Sequence, residues 1–173
     1  MVYILSAELM TDEAPGAAFE RYQQYVSGAR DRFPPGAYAL ATSGWYYDFD
    51  DHRCPHDAWL EELVVSERGS GPGMATRAVD VRIRLFGAYA DGHIELRYRD
   101  VVRYRCELWT EEVGEGRTHS DWRYDEFRLS ERGLLLHEIE WCSRDSTGTW
   151  LIEAADVEHT WIPLADAPAP AGG

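Results

Sequence analysis

The segment Phe49–Trp59, FDDHRCPHDAW, concentrates side chains that bind transition metals and move protons. His52, Cys54 and His56 alternate along it, and Asp50, Asp51 and Asp57 flank them. Thiolate and imidazole are zinc ligands, and a carboxylate can complete a tetrahedral set. Alternate residues project to one side of an extended segment, and Pro55 biases Cys54 toward extended backbone. One expectation is therefore a zinc site of His52, Cys54, His56 and Asp57. No CxxC or HExxH partner lies elsewhere to complete it. The competing expectation is a polar corner, where Asp and His side chains bond to nearby backbone as the chain turns into a strand at Trp59. The missing partner motif favours the corner.

Two further stretches carry chemistry. In HSDWRYDEF (119–127), strand alternation would put Trp122, Tyr124 and Glu126 on one face. Asp121, Arg123, Asp125 and Phe127 would take the other. Trp, Tyr and Arg anchor interfaces and ligand stacks, so Trp122, Arg123, Tyr124, Asp125 and Glu126 are candidate binding residues. Asp125 and Glu126 are adjacent and would face opposite ways, so they would not serve one substrate together. In LLLHEIEW (134–141), His137 falls on an apolar face with Leu135, Ile139 and Trp141. Such a histidine is an ordinary core residue unless a carboxylate orients it. Contact with Asp57, Asp121 or Asp125 would make it an oriented base, and it joins the candidate site on that ground. No GxGxxG, GxxxxGK[ST], GxSxG or HExxH occurs, and no residue is assigned a catalytic role.

Periodicity supplies the frame for these residues. Phe19, Tyr22, Val26, Ala29 and Phe33 predict an amphipathic helix over 18–33, stopped by Pro34-Pro35-Gly36 and capped near Thr11 or Asp12. Residues 37–47 are ambiguous between helix and strand. From Trp59 the period is two. Strands are expected at 59–67, 79–85, 93–99 with a continuation to 108, 121–129, 134–142 and 149–162. Val79, Val81, Ile83 and Leu85 form one inner set, and Ile94, Leu96 and Tyr98 the next. Pairing Leu85 with Ile94 places Arg84 opposite Glu95 and Asp80 opposite Arg99. A bulge is expected at Asp100-Val101, with Val102, Tyr104, Cys106 and Leu108 continuing inward. The fold class is α+β: an N-terminal helical segment packed on an antiparallel meander of about six strands, as a partial barrel or sandwich. Residues 1–163 form one domain, and 164–173 are a disordered Pro/Ala/Gly tail.

The chain has 173 residues and a net charge of −14, from 31 acidic and 17 basic residues. Every basic residue is arginine, and lysine and asparagine are absent, which points to a GC-rich bacterial genome. The charge disfavours nucleic acid. RYRDVVRYR (97–105) does not reverse this, because alternation separates its tyrosines from its arginines. No apolar run is long enough for a membrane span, and MVYILSAELM has no basic n-region. The expected compartment is the cytoplasm, which suits three unpaired cysteines.

HDAWL (56–60) entering a strand, followed by short strands with DG turns, resembles small acidic β-rich bacterial proteins. That class includes immunity proteins of polymorphic toxin systems. The resemblance implies a non-enzymatic protein that engages a protein partner through an acidic, aromatic-containing surface. A homodimer is compatible with this. The alternative is a small-ligand-binding protein or enzyme, with a pocket near Trp122, Tyr124 and His137 and metal assistance from zinc. The expectation is a partner protein and no cofactor.

Overall fold

The computed structural model describes residues 3–4, 15–107, 109–110, 119–142 and 146–165. Among the described residues, two α-helices precede the strands. α1 spans Pro15–Gly28 and α2 spans Pro35–Ala41, with a 3-10 turn at Arg30–Arg32 between them. The helix expected over 18–33 is present as α1, but it ends at Gly28 and a 3-10 turn follows; α2 runs into the stretch that is ambiguous between helix and strand by sequence. Pro35 opens α2 instead of ending a helix, because proline's missing N–H and fixed φ suit the first helical position. Ala18, Tyr22 and Val26 recur every four residues and are fully buried, which gives α1 one core-facing stripe. The N–H groups of Gly36 and Ala37 donate to the Asp156 carboxylate at 2.8 and 2.9 Å, so the sheet caps α2.

Among the described residues nine strands follow, and every pairing is antiparallel. They are β1 (Trp59–Ser70), β2 (Thr76–Phe86), β3 (Gly92–Arg99), β4 (Arg103–Cys106), β5 (Trp109–Thr110), β6 (Asp121–Leu129), β7 (Leu135–Cys142), β8 (Ser146–Ala154) and β9 (Asp156–Pro163). The order across the sheet is β4-β8-β7-β6-β1-β2-β3-β9, with β5 beside β8, and the sheet is not closed. Of the three strands beyond six, one is the two-residue β5, and the other two arise from breaks in long segments. Asp100 takes a φ of +52° between β3 and β4, and Ala155 interrupts β8 and β9. Ladder bonds persist across both breaks: Val102 N–H donates to Glu153 C=O, and Ala155 N–H to Arg99 C=O, each at 2.9 Å.

The β2–β3 register is the expected one, with Leu85 opposite Ile94 and Arg84 opposite Glu95. Asp80 meets Arg99 at 3.3 Å. The inner residues Val81, Ile83, Leu85, Ile94, Leu96 and Tyr98 are fully buried. Beyond the bulge one expectation fails. Val101 is buried, while Val102 and Tyr104 are about half exposed, at 49% and 48%. One extra residue shifts the alternation, and β4 then runs past the core. Leu108, the caps at Thr11 and Asp12, and the tail after Ala165 lie outside the described residues.

β1 and β6 are joined by a single ladder pair, Trp59 with Asp121, and then part. The freed edge of β6 is closed by α1. Tyr22 Oη accepts from Phe127 N–H at 2.9 Å and donates to Phe127 C=O at 3.1 Å. Tyr25 Oη accepts from Leu129 N–H at 2.8 Å. These hydroxyls replace the missing strand's hydrogen bonds and blunt an exposed edge.

Candidate functional site

β6 carries most of the candidate residues, and its local geometry decides where they point. The β6–β7 register shifts between Trp122 and Tyr124. This bulge places Trp122, Asp125 and Phe127 in the core together. Trp122, Tyr124 and Glu126 therefore do not share one face, as simple alternation predicts. Two residues oppose one there, and the phase changes.

Inside the sheet a chain of hydrogen bonds runs through β3, β7 and β6. The Tyr98 hydroxyl donates to His137 Nδ1 at 2.7 Å, and His137 Nε2–H donates to Asp125 Oδ2 at 2.9 Å. Tyr46 Oη donates to the same Asp125 oxygen at 3.0 Å, and Trp122 Nε1–H to Oδ1 at 3.0 Å. Phe127 stacks on the His137 ring with centroids 4.1 Å apart. All of these side chains are buried. Burial first, and then the Asp125 charge, pushes the Tyr46 and Tyr98 hydroxyls well above the usual phenol range, so both stay protonated donors. Of the three aspartates in reach of the sequence argument, His137 meets Asp125. Each polar atom in the chain has a partner, the arrangement required of buried polar groups.

Glu126 points the other way and is also buried. Its carboxylate accepts the N–H groups of Tyr3 and Ile4 at 2.8 and 2.6 Å and lies 2.7 Å from Arg128. Among the candidates, Arg123 and Tyr124 reach the surface, with the Arg123 guanidinium over the Tyr124 ring at 5.4 Å.

The segment 49–59 folds as successive turns. Asp48 Oδ1 accepts from Asp50 N–H at 3.1 Å, and Asp51 Oδ1 accepts from Arg53 N–H at 2.9 Å. Such side-chain-to-backbone bonds are what aspartates supply in turns. His52, Cys54 and His56 go to separate places. The His52 imidazole pairs with Asp91 and stacks on Tyr89 at 4.1 Å. Cys54 is buried, its thiol donates to Tyr46 C=O at 2.9 Å, and burial pushes its pKa up to about 12. His56 Nδ1–H donates to Arg123 C=O at 2.5 Å, and its ring stacks on Phe49 at 3.9 Å. Among the described residues no three His, Cys, Asp or Glu side chains converge as a metal-holding group. No described helix is long and apolar enough to cross a membrane.

The turns leave a surface that the sequence shows only in fragments. Phe49, Trp59 and Tyr89 are each 43–48% exposed. Burial first, and then the charges of Asp50, Asp48 and Asp57, raise the Tyr89 pKa above the ordinary phenol value. Burial first, and then Asp57, raises the Asp121 pKa. Two openings flank this surface. One, of about 10 Å³, lies beneath Phe49, His56, Trp122, Tyr124 and Asp125. The other, of about 300 Å³, lies at the β1–β6 seam. Trp59, Tyr89 and Asp121 were missed as surface residues because they belong to three separate segments, and only the fold brings them together. The alternation entering β1 was the one available signal, since it leaves a tryptophan at the strand's first residue beside an acidic corner.

No family model, curated protein or solved structure matches this chain.

Proposed function

We propose that this protein is a non-enzymatic bacterial binding protein that engages a basic protein partner, in the manner of an immunity protein, through the acidic aromatic surface around Asp48–Trp59. The observation that carries the reading is the distribution of ion pairs. Every described arginine from Arg53 onward has a carboxylate within 4.0 Å. Asp48, Asp50, Asp57 and Asp121 have no arginine partner among the described residues, and they surround half-exposed Phe49, Trp59 and Tyr89. Uncompensated charge beside exposed aromatic rings suits a cationic partner, steering it from a distance and anchoring it on contact.

The test is affinity capture with the full chain from the native host. Wild-type protein should recover a basic protein at physiological salt, and an Asp48→Asn/Asp50→Asn/Asp57→Asn variant should recover at least ten-fold less. Recovery of no partner, or equal recovery by the variant, overturns the reading. A second reading rests on the Tyr98–His137–Asp125 series, which has the connectivity of a proton relay. The adjoining 10 Å³ space holds about one water molecule. A small substrate would reach Asp125 only if Phe49 and Tyr124 moved aside, so the relay supports an enzyme less well than the surface supports a partner.

A further inference from the structure

The larger opening exists because β1 and β6 share one ladder pair and then part. Its volume, about 300 Å³, is at the lower end for small-ligand sites. Trp59, Leu60, His119, Ser120 and Asp121 line it. Trp59 offers an indole surface that is 48% exposed. The Asp121 carboxylate is exposed and makes no hydrogen bond or ion pair with any described residue. His119 lies edge-on to Trp150 at 5.0 Å, and its Nδ1 is buried without a hydrogen-bond partner among the described residues. Burial lowers the His119 pKa, so near neutral pH the ring is uncharged and one nitrogen is an acceptor. The lining thus combines a carboxylate, a neutral imidazole and an aromatic face, and no arginine is among the described residues that line it.

We propose that this cleft binds a guanidinium group, supplied by an arginine side chain of the partner protein. The proposal rests on the partner reading above. A guanidinium is planar, weakly hydrated and rich in N–H donors. Its plane can lie on the Trp59 indole, one edge can give two hydrogen bonds to Asp121, and a remaining N–H can reach His119. An ammonium would answer the charge but not the flat stack. An anion would meet Asp121 and nearby Asp57, with no cation among the described lining residues to offset them.

The experiment follows the Trp59 indole N–H by NMR in the full chain, assigned with a Trp59→Phe variant. The probe is N-acetyl-arginine amide, and its neutral isostere N-acetyl-citrulline amide is the control. A saturable shift is expected with the arginine probe, at least ten-fold weaker with the citrulline probe and at least ten-fold weaker in Asp121→Asn. Asp121 is exposed, so this variant should melt no lower than wild type. No saturable shift with the arginine probe, or equal binding by the citrulline probe or by Asp121→Asn, overturns the proposal. The partner capture separates the two ideas. If wild type and Asp121→Asn recover the same basic partner equally, the guanidinium site is wrong and the partner reading stands. If the arginine probe binds as expected and no partner is recovered, the site stands, the partner reading fails, and a free guanidino compound is the ligand source.

Discussion

At the scale of single residues, the buried cluster turns on one carboxylate, that of Asp125, to which Tyr46, Trp122 and His137 all donate. His137 was recognisable as a candidate because it interrupts an apolar face, and it does meet an aspartate. Which aspartate was not legible, since the bulge after Trp122 has no sequence marker that distinguishes it from regular strand. Tyr46 and Tyr98 donate into the same cluster from segments 79 and 39 residues away, a distance no local pattern spans. Asp125 is the hub: its truncation strands the hydroxyl of Tyr46, the indole N–H of Trp122 and the Nε2–H of His137. Asp125→Ala should therefore cost about 3–5 kcal/mol in chemical denaturation. His159 gives a pH prediction. Burial lowers its pKa to about 4 from an ordinary 6.5. Between those values the unfolded chain binds a proton that the folded chain refuses. Its contribution is thus complete above pH 6.5 and is lost as pH falls toward 4, by about 3 kcal/mol at most. His159→Gln, which keeps a donor for Arg53 C=O, should flatten the pH dependence of the melting temperature across that window.

At the scale of elements, strand periodicity was the most legible feature. β2, β3 and β7 lie within a few residues of their expected positions, because sustained alternation admits one core-facing phase, and β6 does so despite its bulge. The helices were less legible. Pro34-Pro35-Gly36 reads as a stop, yet Pro35 begins α2, and the reason for the glycine lies across the molecule. A Cβ on Gly36 would sit 2.1 Å from Val157 O and 2.9 Å from Asp156 Oδ1. The backbone of α2 has to approach β9 that closely for Asp156 to cap it. Gly36→Ala should cost about 2–3 kcal/mol, as an overpacked site does. Gly16→Ala is the control. Its Cβ would meet nothing within 4 Å, and a helix prefers alanine, so the melting temperature should hold or rise.

At the scale of the whole molecule, the charge of −14 was plain from composition, but its layout was not. Arginines and carboxylates pair across the strands, while Asp48, Asp50, Asp57 and Asp121 at the corner and seam have no arginine partner among the described residues. This layout predicts the kinetics of association. With a basic partner, the on-rate should fall about ten-fold or more between 50 and 500 mM salt in stopped-flow mixing, while the off-rate changes little. The docking of α1 on β6 has a consequence in time. Tyr22 and the Phe127 backbone it serves are 105 residues apart. At roughly 5–20 residues per second, the helix leaves the ribosome about 5–20 s before the strand it will cover. β7, which takes the opposite side of β6, emerges within seconds after it. The strand is thus born between a guard already made and a neighbour about to arrive. Placing the helix ahead of β6 shortens the interval in which a nascent β6 could pair with the wrong neighbour.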